Sequence, residues 1–411
     1  MGRLFEKMIS FAADYSGAAS VLYELGGLTI FCDAGACLGG YRFGEEPRGG
    51  WEKSRVFSAS LRERNVVMGI DRQLTKDAVR TYEEVGGTFI ALIGTPVPAV
   101  IGADLGGIAG EISKQVSKGT PIPAFGIATN GMEYYDAGQE KAYRALMENV
   151  VKERAETLAD VNVIGATPID MWDLNQIQDC ILFLKKAGAE NPAVWGSNGH
   201  LAEIAGAAGA KLNIAVSVSG IKIVKSCEQK YGTPYLIGYP VGEMQEKVWA
   251  ERIRRILLGD RVYGNERKAA VLPGRQAHVE EACSTEGERP SGVRRALILG
   301  EQVSSCSLRD MLREEFGYGQ VDICTFFKME KDLMEEGDMH LREETDLPQM
   351  LSLRGTYHLI VADPLYGKLL PYQPEKIAWI PHMAVSSAMY LDKSPVLFGR
   401  KGSIYFRNIL K

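Results

Sequence analysis

The strongest constraint on the fold is a repeated alternation of short apolar runs and longer helical patterns. Most of the apolar runs end in glycine or a turn, and the predicted strands are LTIFCD, NVVMGI, TFIALIG, PIPAFGI, VNVIGA, NIAVSV, PYLIGY, RRALILG, VDICTF, YHLIVADP and KIAWIPH. Good helix formers lie between them, in QLTKDAVRTYEEVG, EKAYRALMENVVKERAETLAD and LNQIQDCILFLKKAGAE. This order is typical of parallel sheets covered by crossover helices. It predicts an α/β protein with enough strands for three small domains.

The domain boundaries follow from length and composition. A chain of 411 residues is too long for one ordinary core. Residues 264–292 are polar, contain two prolines and hold few large apolar side chains, which is typical of a linker. We therefore predict an N-terminal α/β domain at 1–160, a second at 161–263 and a C-terminal one at 293–411.

Charge and hydropathy exclude several classes of function. The formal net charge is -5 and the pI is near 5.8, so the chain lacks the basic footprint that contacts to nucleic acid phosphates require. The start, MGRLFEKMISFAADYSGAAS, lacks a signal-peptide pattern, and no window holds 18 uninterrupted apolar residues. We expect a cytoplasmic protein without a nucleic acid or membrane partner.

Seven cysteines are scattered along the chain. An odd, scattered set in a reducing compartment argues against a disulfide framework. Cys180 and Cys324 lie inside apolar periodic runs, where a thiol acts as a small hydrophobic side chain. Cys32 and Cys37 are different, because they follow a predicted strand in TIFCDAGACLGGYRFGEE.

The sequence lacks the motifs of the common enzyme classes. It has no dinucleotide glycine pattern, no Walker A lysine motif, no zinc-binding helix pair of histidines and no serine elbow. In parallel sheets, chemistry collects at the carboxyl ends of strands, where Cys32, Cys37, the turn 95–98 and Ser217 are expected. A cysteine in a loop that enters a helix is suited to bind iron as a thiolate. From spacing alone, the two cysteines are either ligands or loop packing.

Three stretches together resemble the component 1 family of nitrogenase, which includes cofactor-assembly relatives and the reductases of chlorophyll and nickel-tetrapyrrole synthesis. The first is CDAGACLGGYRF, which is similar to a glycine-rich loop with a cluster-ligating cysteine, and Cys37 falls on that cysteine. The second is NVVMGIDRQLTKDAVRTYEE, which leads to IGTPVPAVIGADLGGIAGEI. The third is GAKLNIAVSVSGIKIVKSCEQKYGTPYLIGYPVG.

The resemblance implies three Rossmann-like domains and a specific electron-transfer context. It implies pairing with a homologous subunit or with a second copy, and electrons from a separate ATP-dependent iron-sulfur protein. It also implies an iron-sulfur cluster, shared at a subunit interface, with Cys37 as a metal ligand.

The sequence departs from the family pattern at the positions of two other cluster-ligating cysteines. The family's first bridging-cluster cysteine corresponds to Gly17 or Ala18 here, and the third corresponds to Thr95 or Pro96. Neither position can supply a thiolate, so Cys37 alone matches the pattern.

Two further positions also depart from it. Ser217 stands near the position of the cysteine that holds the catalytic cofactor of nitrogenase. Cys32 is an extra thiol outside the pattern. It becomes a second candidate ligand if the chain pairs with itself, because two copies of Cys32 and Cys37 would present four thiolates.

Polar residues near strand ends are candidates for a substrate cleft. His382 follows a C-terminal strand, His200 lies in a loop of the second domain, and Ser217 follows NIAVSV. Either histidine could bind substrate or donate a proton, or could be a loop histidine bonded to backbone. Asp363 is predicted to cap a helix.

These features lead to two main hypotheses. In the first, the chain is a nitrogenase-like reductase subunit that passes low-potential electrons through a cluster held partly by Cys37 to a substrate in the cleft. In the second, it is a non-catalytic paralogue or cofactor-assembly scaffold that binds a small molecule or metallocofactor. The missing cysteines motivate the second hypothesis.

Overall fold

The structure, a computed structural model, describes residues 6–8, 10–48, 55–117, 119–153, 155–171, 174–260 and 293–411. The predicted linker at 264–292, with Cys283, lies outside the described residues. Within them, the strands form three separate sheets, and every pairing between named strands is parallel. This confirms the predicted α/β class.

The first sheet has the order β2-β1-β3-β4. Its strands are β1 (Leu28–Phe31), β2 (Val56–Ser58), β3 (Ile90–Ile93) and β4 (Ala124–Ile127). The helices of this part are α1 (Asp14–Leu22), α2 (Ala36–Gly40), α3 (Glu63–Met68), α4 (Asp71–Val85), α5 (Pro96–Val100), α6 (Leu105–Val116) and α7 (Tyr135–Asn149). A π-helical turn, Tyr41–Glu45, follows α2. Every residue of β1 and β3 is buried, as expected for parallel strands covered on both faces.

The second sheet has the order β6-β5-β7-β8. Its strands are β5 (Val161–Ile164), β6 (Pro192–Trp195), β7 (Leu212–Ala215) and β8 (Tyr235–Ile237). The helices of this part are α8 (Leu174–Lys186), α9 (Leu201–Ala205), α10 (Val218–Tyr231) and α11 (Glu243–Leu257).

The third sheet has the order β11-β10-β9-β12-β13. Its strands are β9 (Arg295–Leu299), β10 (Gln320–Thr325), β11 (Met339–His340), β12 (Leu359–Ala362) and β13 (Lys376–Trp379). The helices are α12 (Gln302–Phe316), α13 (Asp346–Arg354), α14 (Met383–Ser386) and α15 (Arg400–Leu410). The three sheets fall inside the three predicted domain ranges, and the boundaries themselves stay predictions.

Helices α1 and α7 pack unusually closely, and two glycines permit it. A Cβ atom on Gly17 would lie 1.9 Å from the carbonyl oxygen of Tyr135, and one on Gly138 would lie 1.7 Å from the carbonyl oxygen of Asp14. Any side chain at either position would force the helices apart. The same core continues from the first sheet through α7 to Trp195 of the second sheet.

Two local predictions are wrong. The run NVVMGI, predicted as a strand, lies mostly in α3, where the backbone N–H of Arg62 donates to Asn65 Oδ1 at 2.9 Å and caps the helix. Val67 and Met68 are exposed, so the run lacks the burial that a strand of this sheet has. The helix predicted over 140–160 ends at Asn149.

Candidate functional site

Four loops meet at the carboxyl edge of the first sheet, because its parallel strands all end on that side. Asp33 fixes the loop that follows β1. Its carboxylate accepts hydrogen bonds from Leu38 N at 3.0 Å and from Ser58 Oγ at 2.5 Å. The loop therefore enters α2 in a defined position, with Cys37 on the second residue of that helix.

The Cys37 thiol is half-buried and is hydrogen-bonded to Tyr15. Burial raises the pKa of the Cys37 thiol, and the hydrogen bond from the Tyr15 hydroxyl acts in the opposite direction. The sequence argument expected a helix start to favour the thiolate, but α2 has only five residues and burial outweighs that effect. A raised pKa favours the protonated thiol at neutral pH, so binding a metal here would require the metal to displace the thiol proton, which is released to solvent.

Cys32 lies at the end of β1 and is fully buried. It packs in the core between the first sheet and helices α4 and α6. Burial, with a smaller contribution from Asp33, raises its thiol pKa to about 12. This environment favours the packing alternative for Cys32, and its role as a ligand stays a prediction.

The positions where the family pattern would place two more cysteines are occupied by structural residues. Gly17 is required by the close approach of α1 to α7, and Ala18 is fully buried. Thr95 is buried, and its hydroxyl donates to the carbonyl of Cys32 at 2.7 Å. Pro96 begins α5. These side chains stabilise the edge but cannot bind iron as thiolates.

Cys37 is also the most accessible thiol among the described cysteines, since the others are all buried: Cys32, Cys180, Cys227, Cys306 and Cys324. In the described part of the chain, no group of three or more His, Cys, Asp or Glu side chains is arranged to hold a metal ion. This edge therefore offers one thiol and no complete ligand set.

Large apolar side chains are exposed in all four loops at this edge. Phe43 follows α2, Met68 ends α3, Val100 ends α5, and Met132 follows β4; each is at least 78% exposed. We call these four residues the Cys37 rim. Contiguous exposed apolar patches mark protein contact sites, so the Cys37 rim is a candidate contact surface.

A second candidate site is a cavity of about 60 Å³ between the second and third sheets. Its wall comes from loops at the carboxyl ends of both sheets and includes Asp170, Tyr239, Glu301, His382 and Ser394. We call it the intersheet cavity. It occupies the place that parallel sheets generally offer to ligands.

His382 lies in the wall of this cavity, and its predicted role in a substrate cleft stays a prediction. Its ring lies between Tyr135 and Phe327, with centroids 5.6 and 5.5 Å away. Its Nδ1 accepts a hydrogen bond from Ala384 N at 3.3 Å, so the proton of the neutral ring is on Nε2. Nε2 is buried without a hydrogen-bond partner, 3.9 Å from Asp170 Oδ1. Burial lowers the His382 pKa to about 4.

The other two cleft candidates lie outside the cavity wall. Ser217 is fully buried, and its hydroxyl pairs with that of Ser219 at 2.8 Å at the start of α10. The next backbone N–H, of Val218, donates to Glu301 at 2.8 Å, so Ser217 adjoins the cavity through that contact. His200 is exposed and precedes α9 as its N-cap.

A comparison with known protein families identifies the family of this chain. The sequence profile described as Nitrogenase component 1 type Oxidoreductase matches residues 32–391. The chain belongs to this family. This confirms the resemblance inferred from the sequence.

Two relatives of this chain are described as nitrogenase iron-molybdenum cofactor biosynthesis proteins. The chain is 26% identical over 268 residues to the nitrogenase iron-molybdenum cofactor biosynthesis protein NifE of Bradyrhizobium diazoefficiens, covering 63% of this chain and 47% of that protein. The NifE of Clostridium pasteurianum is 25% identical over 268 residues, covering 62% and 55%. The chain thus spans about half the length of the curated relatives it matches.

Solved nitrogenase structures share the fold. Nitrogenase Cp1 at pH 6.5 superposes with a TM-score of 0.69 at 12% identity, covering 100% of this chain and 94% of that one. Nitrogenase Cp1 at pH 5 gives a TM-score of 0.57 at 18% identity, covering 86% and 72%. Among the described helices of this family member, none is long and apolar enough to cross a membrane.

The residues at the Cys37 edge fit a metal-sulfur cluster, which the nitrogenase component 1 family implies, only in part. A four-iron cluster takes four thiolates, and this edge offers one accessible thiol. The fit is therefore to a cluster whose other ligands come from elsewhere, with Cys37 as the residue that would hold it here.

Sequence reasoning missed Asp170 and Glu301. Both follow predicted strands, in VNVIGATPID and RRALILGE, so the rule on carboxyl ends of strands was the available signal. It was not applied to these acids because no motif surrounds them.

Proposed function

We propose that the chain is a cofactor-assembly scaffold subunit that works together with a homologous subunit. The observation that carries this proposal is that Cys37 is the single accessible thiol among the described residues and lies in an edge whose loops expose the Cys37 rim. An exposed apolar rim suits contact with another protein, and one thiol needs further cluster ligands from that protein. The relatives named as cofactor biosynthesis proteins support the same proposal.

In this proposal the partner supplies most of the cluster ligands, and the chain supplies shape, one thiolate and part of the contact surface. The buried Thr95 and the close-packed Gly17 support it, because each stabilises the edge where a ligand would otherwise stand. The chain therefore holds its cargo weakly by itself and more tightly in the complex.

The alternative is the reductase subunit, which would receive electrons from an ATP-dependent iron-sulfur protein. The family's description as an oxidoreductase favours it. The two functions differ in what happens to the metal: a reductase keeps its cluster through reduction and oxidation, whereas a scaffold releases its cargo to an acceptor protein.

The experiment is anaerobic purification of the chain alone and with its homologous subunit, each loaded with ⁵⁷Fe and sulfide. The proposal expects substoichiometric iron on the chain alone, a stoichiometric cluster on the complex, and transfer of ⁵⁷Fe to an apo-acceptor. Cys37→Ser should keep the complex and weaken iron retention, while Cys227→Ser, in the core, is the matched control.

A stoichiometric four-iron cluster on the chain alone would contradict the proposal. So would a cluster in the complex that is reduced and reoxidised repeatedly without any iron reaching the acceptor.

A further inference from the structure

The intersheet cavity does not suit the kind of cofactor that the family implies. Its wall contains no cysteine, lysine or arginine. It therefore offers no thiolate to iron and no cation to balance the negative charge of a sulfide-rich cluster. Instead, it contains two carboxyl groups: the Asp170 side chain is 5% exposed, and the whole Glu301 residue is 1% exposed.

The two carboxylates differ in how many of their hydrogen-bond acceptor sites are occupied. Glu301 accepts from Val218 N and Val303 N on one oxygen and from Ser304 N and Oγ on the other, at 2.8 to 3.0 Å. Because a carboxylate has about four acceptor sites, Glu301 has none left. It contributes charge to the cavity but no further hydrogen bond.

Asp170 keeps acceptor capacity. Its Oδ1 accepts from the Tyr135 hydroxyl at 2.7 Å, and its Oδ2 accepts from Gln139 Nε2 at 2.9 Å. Both donors are neutral, and about two acceptor sites remain. The Oε1 atom of the fully buried Gln139 also has no hydrogen-bond partner, but Gln139 is not part of the cavity wall.

Two polar atoms in the wall are buried without partners, namely Nε2 of His382 and Oγ of Ser394. Buried polar atoms are normally hydrogen-bonded, so these two unpaired atoms indicate a polar occupant of the cavity. Burial also raises the pKa of the Asp170 and Glu301 carboxyl groups, so a cation in the cavity would lower the cost of ionising them.

We propose that the intersheet cavity binds one small ammonium-type cation, whose N–H groups donate to Asp170 in the field of Glu301. A bare metal ion is disfavoured, because no group of three His, Cys, Asp or Glu ligands in the described residues is arranged for one. The cavity of about 60 Å³ exceeds the roughly 10–15 Å³ that a cavity needs to hold one water, so it has space for several water-sized groups. That space admits ammonium with one water, or methylammonium. The water can accept a hydrogen bond from the Nε2–H group of His382.

The inference does not depend on the scaffold proposal, since it concerns a different site and requires no iron. The probes are ammonium, methylammonium, potassium and tetramethylammonium chlorides at constant ionic strength. Potassium matches the charge and approximate size of ammonium but has no N–H donors, and tetramethylammonium is a larger cation that also has none.

The first measurement is the thermal unfolding midpoint of the full chain. At about 100-fold excess over Kd, ammonium and methylammonium should raise the midpoint by about 3 °C, and the other two salts should not. Asp170→Asn should weaken the ammonium effect about 10-fold or more, because hydrogen bonds to a charged acceptor are lost. Glu111→Gln, on an exposed helix surface, is the matched control and should behave like the wild type.

Calorimetric titration of the wild-type chain with ammonium chloride keeps the test decisive if the Asp170 variant fails to fold. One site per chain is expected. Equal effects of ammonium and potassium, an unchanged response in Asp170→Asn, or the absence of saturable heat would each overturn the proposal. Loss of iron transfer in the scaffold experiment would leave it standing.

Discussion

The guanidinium of Arg48 donates a 2.7 Å hydrogen bond to the backbone carbonyl of Gly196 and so joins the first α/β unit to the loop after β6. The same guanidinium bonds both oxygens of Glu46, at 2.7 and 2.6 Å, and the carbonyl of Ser20 at 2.8 Å. The Arg48 and Glu46 side chains are 3% and 0% exposed. This buried ion pair therefore holds the first α/β unit against the loop after β6 of the second unit.

Replacing Arg48 by Met should lower the free energy of unfolding by about 3–5 kcal/mol, because it leaves the carboxylate of Glu46 buried without a charge partner. Chemical denaturation measures the loss. The double variant Arg48→Met with Glu46→Gln should recover part of it, and Arg64→Met, at an exposed helix position, is the control. A loss below about 1 kcal/mol in the single variant would contradict the conclusion that the Arg48–Glu46 ion pair stabilises the contact between the two units.

The second prediction concerns acid stability and His382. The unfolded histidine titrates near 6.5, whereas burial lowers the folded pKa to about 4, so the folded state binds fewer protons between these values. Stability from this group is present above pH 6.5 and is lost as pH falls towards 4. The loss amounts to about 3 kcal/mol, at about 1.36 kcal/mol for each pKa unit.

His382→Gln should remove that part of the pH dependence. Unfolding free energies at pH 7 and pH 4.5 would be compared for the wild type, the variant and the exposed control His200→Gln. Equal pH differences in the wild type and His382→Gln would show that His382 is solvated in the folded chain.

The third prediction concerns Asp363, which the sequence placed as a helix cap. Its Oδ1 accepts from Leu365 N at 2.8 Å and caps the 3₁₀ helix Pro364–Leu369, as predicted. Its Oδ2 accepts from His382 N and from the Ser386 hydroxyl, each at 2.7 Å. Asp363→Ala should cost about 2–4 kcal/mol, since a cap is lost and two buried donors lose their acceptor.

Ser386→Ala is the matched comparison, because it removes one of the three hydrogen bonds and keeps the carboxylate. It should cost about 1 kcal/mol. Equal losses in the two variants, measured by denaturant unfolding, would show that Asp363 acts through Ser386 alone.

Sequence patterns predicted the buried strands well, because parallel strands are apolar throughout and end at glycine or a turn. LTIFCD and VNVIGA are examples, and they correspond to β1 and β5. The run NVVMGI has the same composition but forms α3, since a short apolar run carries no information about its burial. Strand β2, VFS, was missed because three residues are too few to show a pattern.

The candidate sites were predicted less completely than the strands. Cys37 was singled out because it follows a strand and falls on the ligating cysteine of a similar glycine-rich loop, and its role as a ligand stays a prediction. The contact of Asp170 with Tyr135, in contrast, depends on α7 reaching the loop after β5. That contact joins residues 35 positions apart, and composition cannot reveal it. Cys32 is buried because its side chain points into the core at the end of β1, whereas Cys37 is half-buried on α2, and composition cannot reveal either placement.

The last prediction tests this contrast between Cys32 and Cys37, the two thiols that follow β1. Native alkylation with iodoacetamide, followed by peptide mapping, should modify Cys37 and leave Cys32 unmodified, because Cys32 is fully buried with a thiol pKa near 12. The reaction at Cys37 should be slower at pH 8 than that of a free thiol and should accelerate as pH rises, because burial raises its pKa.

The hydrogen bond from Tyr15 lowers the pKa of Cys37, so Tyr15→Phe should slow alkylation by a factor of about 2–10, the equivalent of one hydrogen bond. Tyr82→Phe, whose hydroxyl bonds the Gly87 carbonyl at 3.3 Å on another helix, is the control and should leave the rate at Cys37 unchanged. Modification of Cys32 at the rate of Cys37 would show that both thiols are available as ligands and would restore the symmetric four-thiolate pairing of two copies.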